Sequence, residues 1–199
     1  MSVKVRKHFK KNDPILFSYF EKVELIHHRP PSDLFVELCD TIISQQLSGK
    51  AAATIFGRFK NLFPKKKITA KGVLKLSEAK IRSCGTSNAK VRSLKDLAQK
   101  VISRELKLKR LKDLSDEDVV NELVKVKGIG PWSAEMFLMF GLGREDVFSY
   151  GDLGLRNALK KMYGFKKDPS AKQVEKIVGR WKPFRTYASR ILWKSLELK

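Results

Sequence analysis

The chain has 199 residues, 42% of them hydrophobic and 32% charged, which suits one domain or two small lobes around a shared cleft and is enough to bury a core. Lysine and arginine number 42 against 21 Asp+Glu, a formal net charge of +21 spread over both halves of the chain. Such a field is ordinarily used on a polyanion, with a lysine-rich overall composition as the bland alternative. Two cysteines, Cys39 and Cys84, exclude a disulfide framework, a four-cysteine zinc site and an iron–sulfur cluster, and no apolar run approaches the roughly 18 residues of a membrane span.

The opening stretch, Met1 to Pro14, is basic with no apolar run behind it, so it does not read as a secretory signal. The expected setting is intracellular: a bacterial or archaeal cytoplasm or a eukaryotic nucleus. His8, His27 and His28 all lie near the N-terminus without zinc-ligand spacing. Asp13 with Pro14 predicts a helix start carrying Leu16, Tyr19, Phe20 and Val23, and His27 to Pro31 predicts a break. Asp33 opens a helix with Leu34, Phe35, Leu38, Ile42 and Ile43 on one face. A loop from Ser44 to Gly49 leads into a helix over 50–63, ended by Pro64, and Lys65–Lys67 is an exposed turn. Two short helices fill 69–83, and Gly85-Thr86-Ser87 starts a long one carrying Val91, Leu94, Leu97, Ala98 and Val101. Ser115 followed by three acids is a strong helix N-terminus, and that helix is expected to end near Lys127. A hairpin over 128–131 joins it to a helix from Trp132 to Phe140. Further helices are expected over 152–162, 170–181 and 184–197. No alternating pattern is long enough for a sheet, so the reading is all-α with about ten helices.

Two segments carry chemistry. Gly128-Ile129-Gly130-Pro131, flanked by Lys125 and Lys127, can bring backbone N–H groups close to a phosphate. A tight helix–helix turn is the structural alternative. Asp152, in Asp152-Leu153-Gly154-Leu155-Arg156, stands just before a helix. There it serves either as an N-cap or as a carboxylate aimed into a cleft.

Together these segments resemble the helix-hairpin-helix-GPD superfamily of base-excision DNA glycosylases. The match rests on the Gly128–Ala134 hairpin, Asp146-Val147-Phe148 and Asp152–Arg156. Within it the chain is similar to the alkylpurine branch, the DNA-3-methyladenine glycosylase II type. Ile42–Ala52 resembles the loop that such proteins push into the DNA stack, and Trp181–Ala188 with Trp193 resembles their C-terminal helix.

The resemblance implies a two-lobed helical bundle with a helix-hairpin-helix motif and an interlobe active-site cleft. Residues 32–143 would form the central lobe, and residues 1–31 with 144–199 the lobe carrying Asp152. It implies Asp152 as the catalytic carboxylate and Trp132 and Trp193 as the aromatic base pocket. Gln46 would be the wedge that fills the vacated stack, with Leu47 second; capping of the preceding helix by Gln45 or Gln46 is the alternative. Gly128, Gly130, Lys125 and Lys127 would hold phosphate. A monovalent cation on the carbonyls of Val124, Val126 and Gly128 is allowed but not required, and no cofactor is expected. Lyase-active members carry a lysine where this chain has Trp132, so a monofunctional enzyme is implied. The implied partner is duplex DNA with damaged purines, met by a monomer away from any membrane. A glycosylase of the same fold for 8-oxoguanine or a deaminated base, and a non-catalytic hairpin binder, are the competing readings. Lys127 stands where proline often precedes the first hairpin glycine. Ser149-Tyr150-Gly151 replaces a proline-containing approach to the aspartate, and Met136 replaces a pocket tyrosine of some members.

Overall fold

The computed structural model describes residues 3–25 and 30–198. His27, His28 and Arg29, on which most of the expected break falls, lie outside them. Among the described residues there is no strand and there are twelve α-helices, two more than the periodicity suggests. They are α1 (Val3–Asn12), α2 (Pro14–Phe20), α3 (Leu34–Ser44), α4 (Gly49–Lys60), α5 (Ala70–Lys75), α6 (Glu78–Arg82), α7 (Asn88–Ile102), α8 (Asp116–Leu123), α9 (Pro131–Met136), α10 (Leu153–Met162), α11 (Ala171–Gly179) and α12 (Arg185–Ser195).

Nine of these helices begin at a Ser, Thr or Asp whose side chain accepts a first-turn N–H. Such a cap contributes about 1 kcal/mol each, which explains why so many starts are readable in the sequence. Two helices depart from the pattern: α9 begins at Gly130 and α12 at Phe184, neither with a side-chain cap. They are the helices that carry Trp132 and Trp193.

Several ends fall short of the expected boundaries. α4 stops at Lys60, and Leu62 and Phe63 follow in tight turns. α8 stops at Leu123, where the chain passes into turns closed by Val126 N on the Leu123 carbonyl at 3.0 Å and Ile129 N on the Val126 carbonyl at 3.1 Å, with Val126 and Ile129 buried at 1% and 4% exposure. The helix after the hairpin is α-helical only to Met136 and then widens into a π-type turn over Phe137–Gly141.

The chain divides into two compact units, one from 1–29 with 143–199 and one from 30–142. In the first, Val5 and Phe9 of α1, one turn apart, join Leu16, Leu155, Leu159, Ile177, Trp181 and Ile191 in one core. Burying each such side chain contributes about 1.5–3 kcal/mol, which a ten-residue helix needs, since an isolated helix that short is marginal in water. Asp13 is fully buried here. Its Oδ1 caps α2 by accepting from Leu16 N at 3.0 Å, while Oδ2 accepts from Tyr163 Oη at 2.6 Å and Trp181 Nε1 at 2.9 Å. In the second unit α3 packs on α4, α7 and the π-type turn through Leu38, Cys39, Ile42 and Ile43, and α7 returns Val91, Leu94 and Leu97.

Candidate active site and nucleic-acid interface

Asp152 is 8% exposed and is the N-cap of α10. Its Oδ1 accepts from Leu155 N at 2.7 Å and from the indole Nε1 of Trp193 at 3.1 Å. The first bond is the ordinary cap; the second reaches in from α12, 41 residues later. The carboxylate therefore sits at the positive end of a helix with an aromatic N–H orienting it. Gly154 makes the approach possible. A Cβ there would lie 3.1 Å from Asp152 Oδ1 and 3.3 Å from Trp193 Cδ1 and Nε1, tighter than side chains normally pack.

The segment before Asp152 is laced to the start of α12, which fixes Trp193 relative to Asp152. Arg185 donates from Nε to Asp146 Oδ1 at 2.7 Å and from Nη2 to Asp146 Oδ2 at 3.1 Å and to its carbonyl at 2.8 Å. Thr186 Oγ1 donates to the Arg144 carbonyl at 2.6 Å and accepts from Val147 N at 3.1 Å. Phe148, 5% exposed, packs against Trp181 with ring centroids 5.8 Å apart and planes inclined by 57°. This accounts for Asp146-Val147-Phe148 as a motif: it is a strap, held by charge-assisted bonds and packed underneath.

In the second unit the hairpin turns through Gly128, whose φ of +80° is left-handed. A Cβ at Gly128 would stand 2.2 Å from Ser93 Oγ of α7, so this glycine is required by the fold itself. Gly130 differs: no atom lies within 4 Å of its would-be Cβ and its φ is −96°. Ile129 N donates to the Val126 carbonyl at 3.1 Å and Lys127 N to Asp96 Oδ2 at 2.9 Å. Neither the Gly128 nor the Gly130 N–H donates to an acceptor among the described residues. Lys127 is exposed, and Lys125 pairs with Glu122 at 2.6 Å on the surface, a contact worth little in water. Of the three carbonyls expected to accept a cation, that of Gly128 already accepts a side-chain bond from Gln45 at 2.8 Å. Val126 O serves the hairpin turn, and Val124 is 39% exposed.

The loop over 44–48 lies in the same unit. Gln46 is exposed in a left-handed conformation, φ 56°, and Leu47 is 37% exposed. Gln45 occupies the C-cap position of α3, but its side chain does not bond to that helix. Its Nε2 crosses to Gly128 O and to Ser133 Oγ at 3.0 Å, while Lys90 Nζ covers the end of α3 at the carbonyls of Ile43 (2.7 Å) and Gln45 (2.8 Å). Burial pulls the Lys90 ammonium below the ordinary lysine range. Trp132, at the second position of α9, is 45% exposed. Among the described residues no three His, Cys, Asp or Glu side chains gather as a metal site, and no helix is long and apolar enough to cross a membrane.

Gly154, Arg185 and Thr186 were given no role of their own by the sequence, and Gln45 only that of an alternative cap for the preceding helix. Only Gly154 left a local signal, a glycine two residues after a capping aspartate.

Residues 39–183 match the model of the HhH-GPD superfamily base excision DNA repair proteins, and the chain belongs to that family. It is 37% identical over 170 residues to the DNA-3-methyladenine glycosylase 1 of Schizosaccharomyces pombe, covering 82% of this chain and 73% of that one. It is 39% identical over 171 residues to a DNA-3-methyladenine glycosylase of Saccharomyces cerevisiae, of which it spans 57%. Among solved structures, a 3-methyladenine DNA glycosylase of Schizosaccharomyces pombe in complex with abasic DNA matches with a TM-score of 0.85 and 32% identity, over 98% of each chain.

Proposed function

We propose that this chain is a monofunctional DNA glycosylase that excises alkylated purines of the 3-methyladenine type from duplex DNA in base excision repair. The observation that carries the reading is Asp152, a nearly buried carboxylate at the start of α10 with the Trp193 indole N–H on its Oδ1. In the reaction the N-glycosidic bond breaks, the base leaves with the electron pair, and positive charge develops at C1′ of the deoxyribose. Water then adds at C1′ and gives up a proton, leaving an abasic site. Asp152 stabilises the developing oxocarbenium charge and orients the water. An alkylated purine is already cationic and leaves readily, so the site needs no strong acid to protonate it.

Trp132 and Trp193 offer indole faces to a flipped cationic base through stacking and cation–π attraction. Trp193 then has two tasks, since its edge also orients Asp152. Gln46, with Leu47 beside it, fills the hole left in the stack. The Gly128 and Gly130 N–H groups, with Lys125 and Lys127, hold the backbone at a phosphate. A tryptophan at position 132 cannot form the Schiff base that a lysine nucleophile would, which supports hydrolysis without strand cleavage. The curated relatives' names and the neighbour bound to abasic DNA, the product of such a reaction, support the substrate class.

The test is base release from methylated duplex, with 8-oxoguanine and hypoxanthine duplexes alongside and borohydride trapping of each reaction. The expected result is release from methylated DNA, alkali-labile sites without strand breaks, and no trapped complex. Preference for 8-oxoguanine, or efficient trapping, would overturn the reading.

A further inference from the structure

The wedge loop and the hairpin are joined by one side chain. Gln45 Nε2 lies 2.8 Å from the Gly128 carbonyl and 3.0 Å from Ser133 Oγ, so one amide group reaches both the hairpin turn and the helix that follows it. A backbone carbonyl can only accept, which fixes the amide with its NH2 facing the hairpin. Both donors of that NH2 are thereby placed. The residue that makes these bonds immediately precedes Gln46, whose left-handed backbone, φ 56°, is a conformation that non-glycine residues adopt only when held.

A second set of contacts comes from α7. Lys90 holds the Ile43 and Gln45 carbonyls, Ser93 lies under Gly128, and Asp96 accepts Lys127 N at 2.9 Å. Three residues spaced three apart thus brace the loop on one side and the hairpin on the other. Gln45 closes the remaining side.

We propose that Gln45 is a positioning residue that couples the stack-filling loop to the phosphate-holding hairpin, so that the two engage DNA as one rigid body. This rests on the reading of Gln46 and of the hairpin under the proposed function. The physical need is plain. Unstacking a nucleotide costs free energy, and a side chain pushed into the stack holds its place better when it is backed by a group fixed elsewhere on the same duplex. With Gln45 in place the backing is the hairpin at its phosphate. Without it the loop keeps the hold of Lys90 and its own Leu47 N to Ser44 carbonyl turn at 3.2 Å, but loses its direct tie to the hairpin.

The inference is tested without chemistry, using 2-aminopurine fluorescence beside a tetrahydrofuran abasic analogue in duplex DNA, together with affinity for undamaged duplex. The wild type should raise the fluorescence as the stack is entered. Gln45→Leu should cut that rise at least fivefold, to the level of Gln46→Ala, and the double variant should be no worse than Gln46→Ala alone. Affinity for undamaged duplex, which needs only the hairpin, should stay within twofold. Ser133→Ala, which deletes one of the two acceptors, should reproduce the pattern at about half the size and serves if Gln45→Leu melts early. A full rise in Gln45→Leu with the wild type responding overturns the coupling alone. So do losses that multiply in the double variant, or an equal loss of affinity for undamaged and abasic duplexes. No rise in the wild type overturns the wedge reading itself, and the coupling with it.

Discussion

The indole N–H of Trp193 points at Oδ1 of Asp152 from 3.1 Å, across 41 residues of sequence. An asparagine at 152 would keep an oxygen for both this donor and Leu155 N, and asparagine caps helices as well as aspartate does. Asp152→Asn should therefore leave the melting temperature within about 2 °C and DNA affinity intact. Base release should fall about 10²–10³-fold, the usual cost of removing one preorganised electrostatic group. Single-turnover release beside a melting curve decides this, and near-wild-type release would remove Asp152 from the mechanism.

Trp193→Phe isolates the N–H from the ring. Phenylalanine keeps most of the packing and a π face but cannot donate. A hydrogen bond to a charged group is worth about 1.5–3 kcal/mol, so release should slow about tenfold or more while the fold persists. Gly154→Ala should act in the same direction by pressing a methyl group between the indole and the carboxylate. Equal rates in both variants and the wild type would leave Trp193 with its pocket role only.

The two hairpin glycines should respond in opposite ways. Gly128→Ala forces a Cβ into Ser93 Oγ and a side chain into the left-handed region, so it should lower the melting temperature by more than about 4 °C. Gly130→Ala meets nothing and should melt like the wild type. If the hairpin grips a phosphate, Gly130→Ala should nonetheless weaken binding to any duplex at least tenfold. Unchanged affinity in this folded variant would reduce the hairpin to a turn.

Alkaline pH gives a separate check on the first unit. Burial, and then the Asp13 carboxylate, push the Tyr163 phenol well above its ordinary range. Below about pH 10 folded and unfolded chains both keep that proton, and the stabilisation is complete. Above it the unfolded chain loses the proton while the folded chain holds it, so stability declines as pH rises. Melting temperature should fall more steeply between pH 9 and 11 in the wild type than in Tyr163→Phe. Parallel curves would refute the assignment.

What the sequence made legible follows from the range of the interactions concerned. Caps such as Asp33, Ser87 and Ser115 act within three residues, so their helices were readable. Asp152 was readable as a cap for the same reason, but the Trp193 bond was not, because its partner comes from another helix. Gln45 looked like a local helix cap until the hairpin, 83 residues on, supplied better acceptors. The helical nature of α1 was hidden by its charge: Val5 and Phe9 are its only buried residues, and they mean little until Leu16 and Trp181 are beside them.

The bonds of Asp13 also bear on the order in which the chain can assemble during synthesis. This carboxylate meets its partners 150 and 168 residues later, at Tyr163 and Trp181. On the ribosome, residues 30–142 emerge with all of their own core, whereas α1 and α2 emerge first and must wait, with Val5, Phe9 and Leu16 uncovered, until α10 and α11 have been made. The high charge of α1 then serves a nascent chain as well as a finished one, because Lys4, Arg6, Lys7, Lys10 and Lys11 keep that waiting apolar stripe in solution.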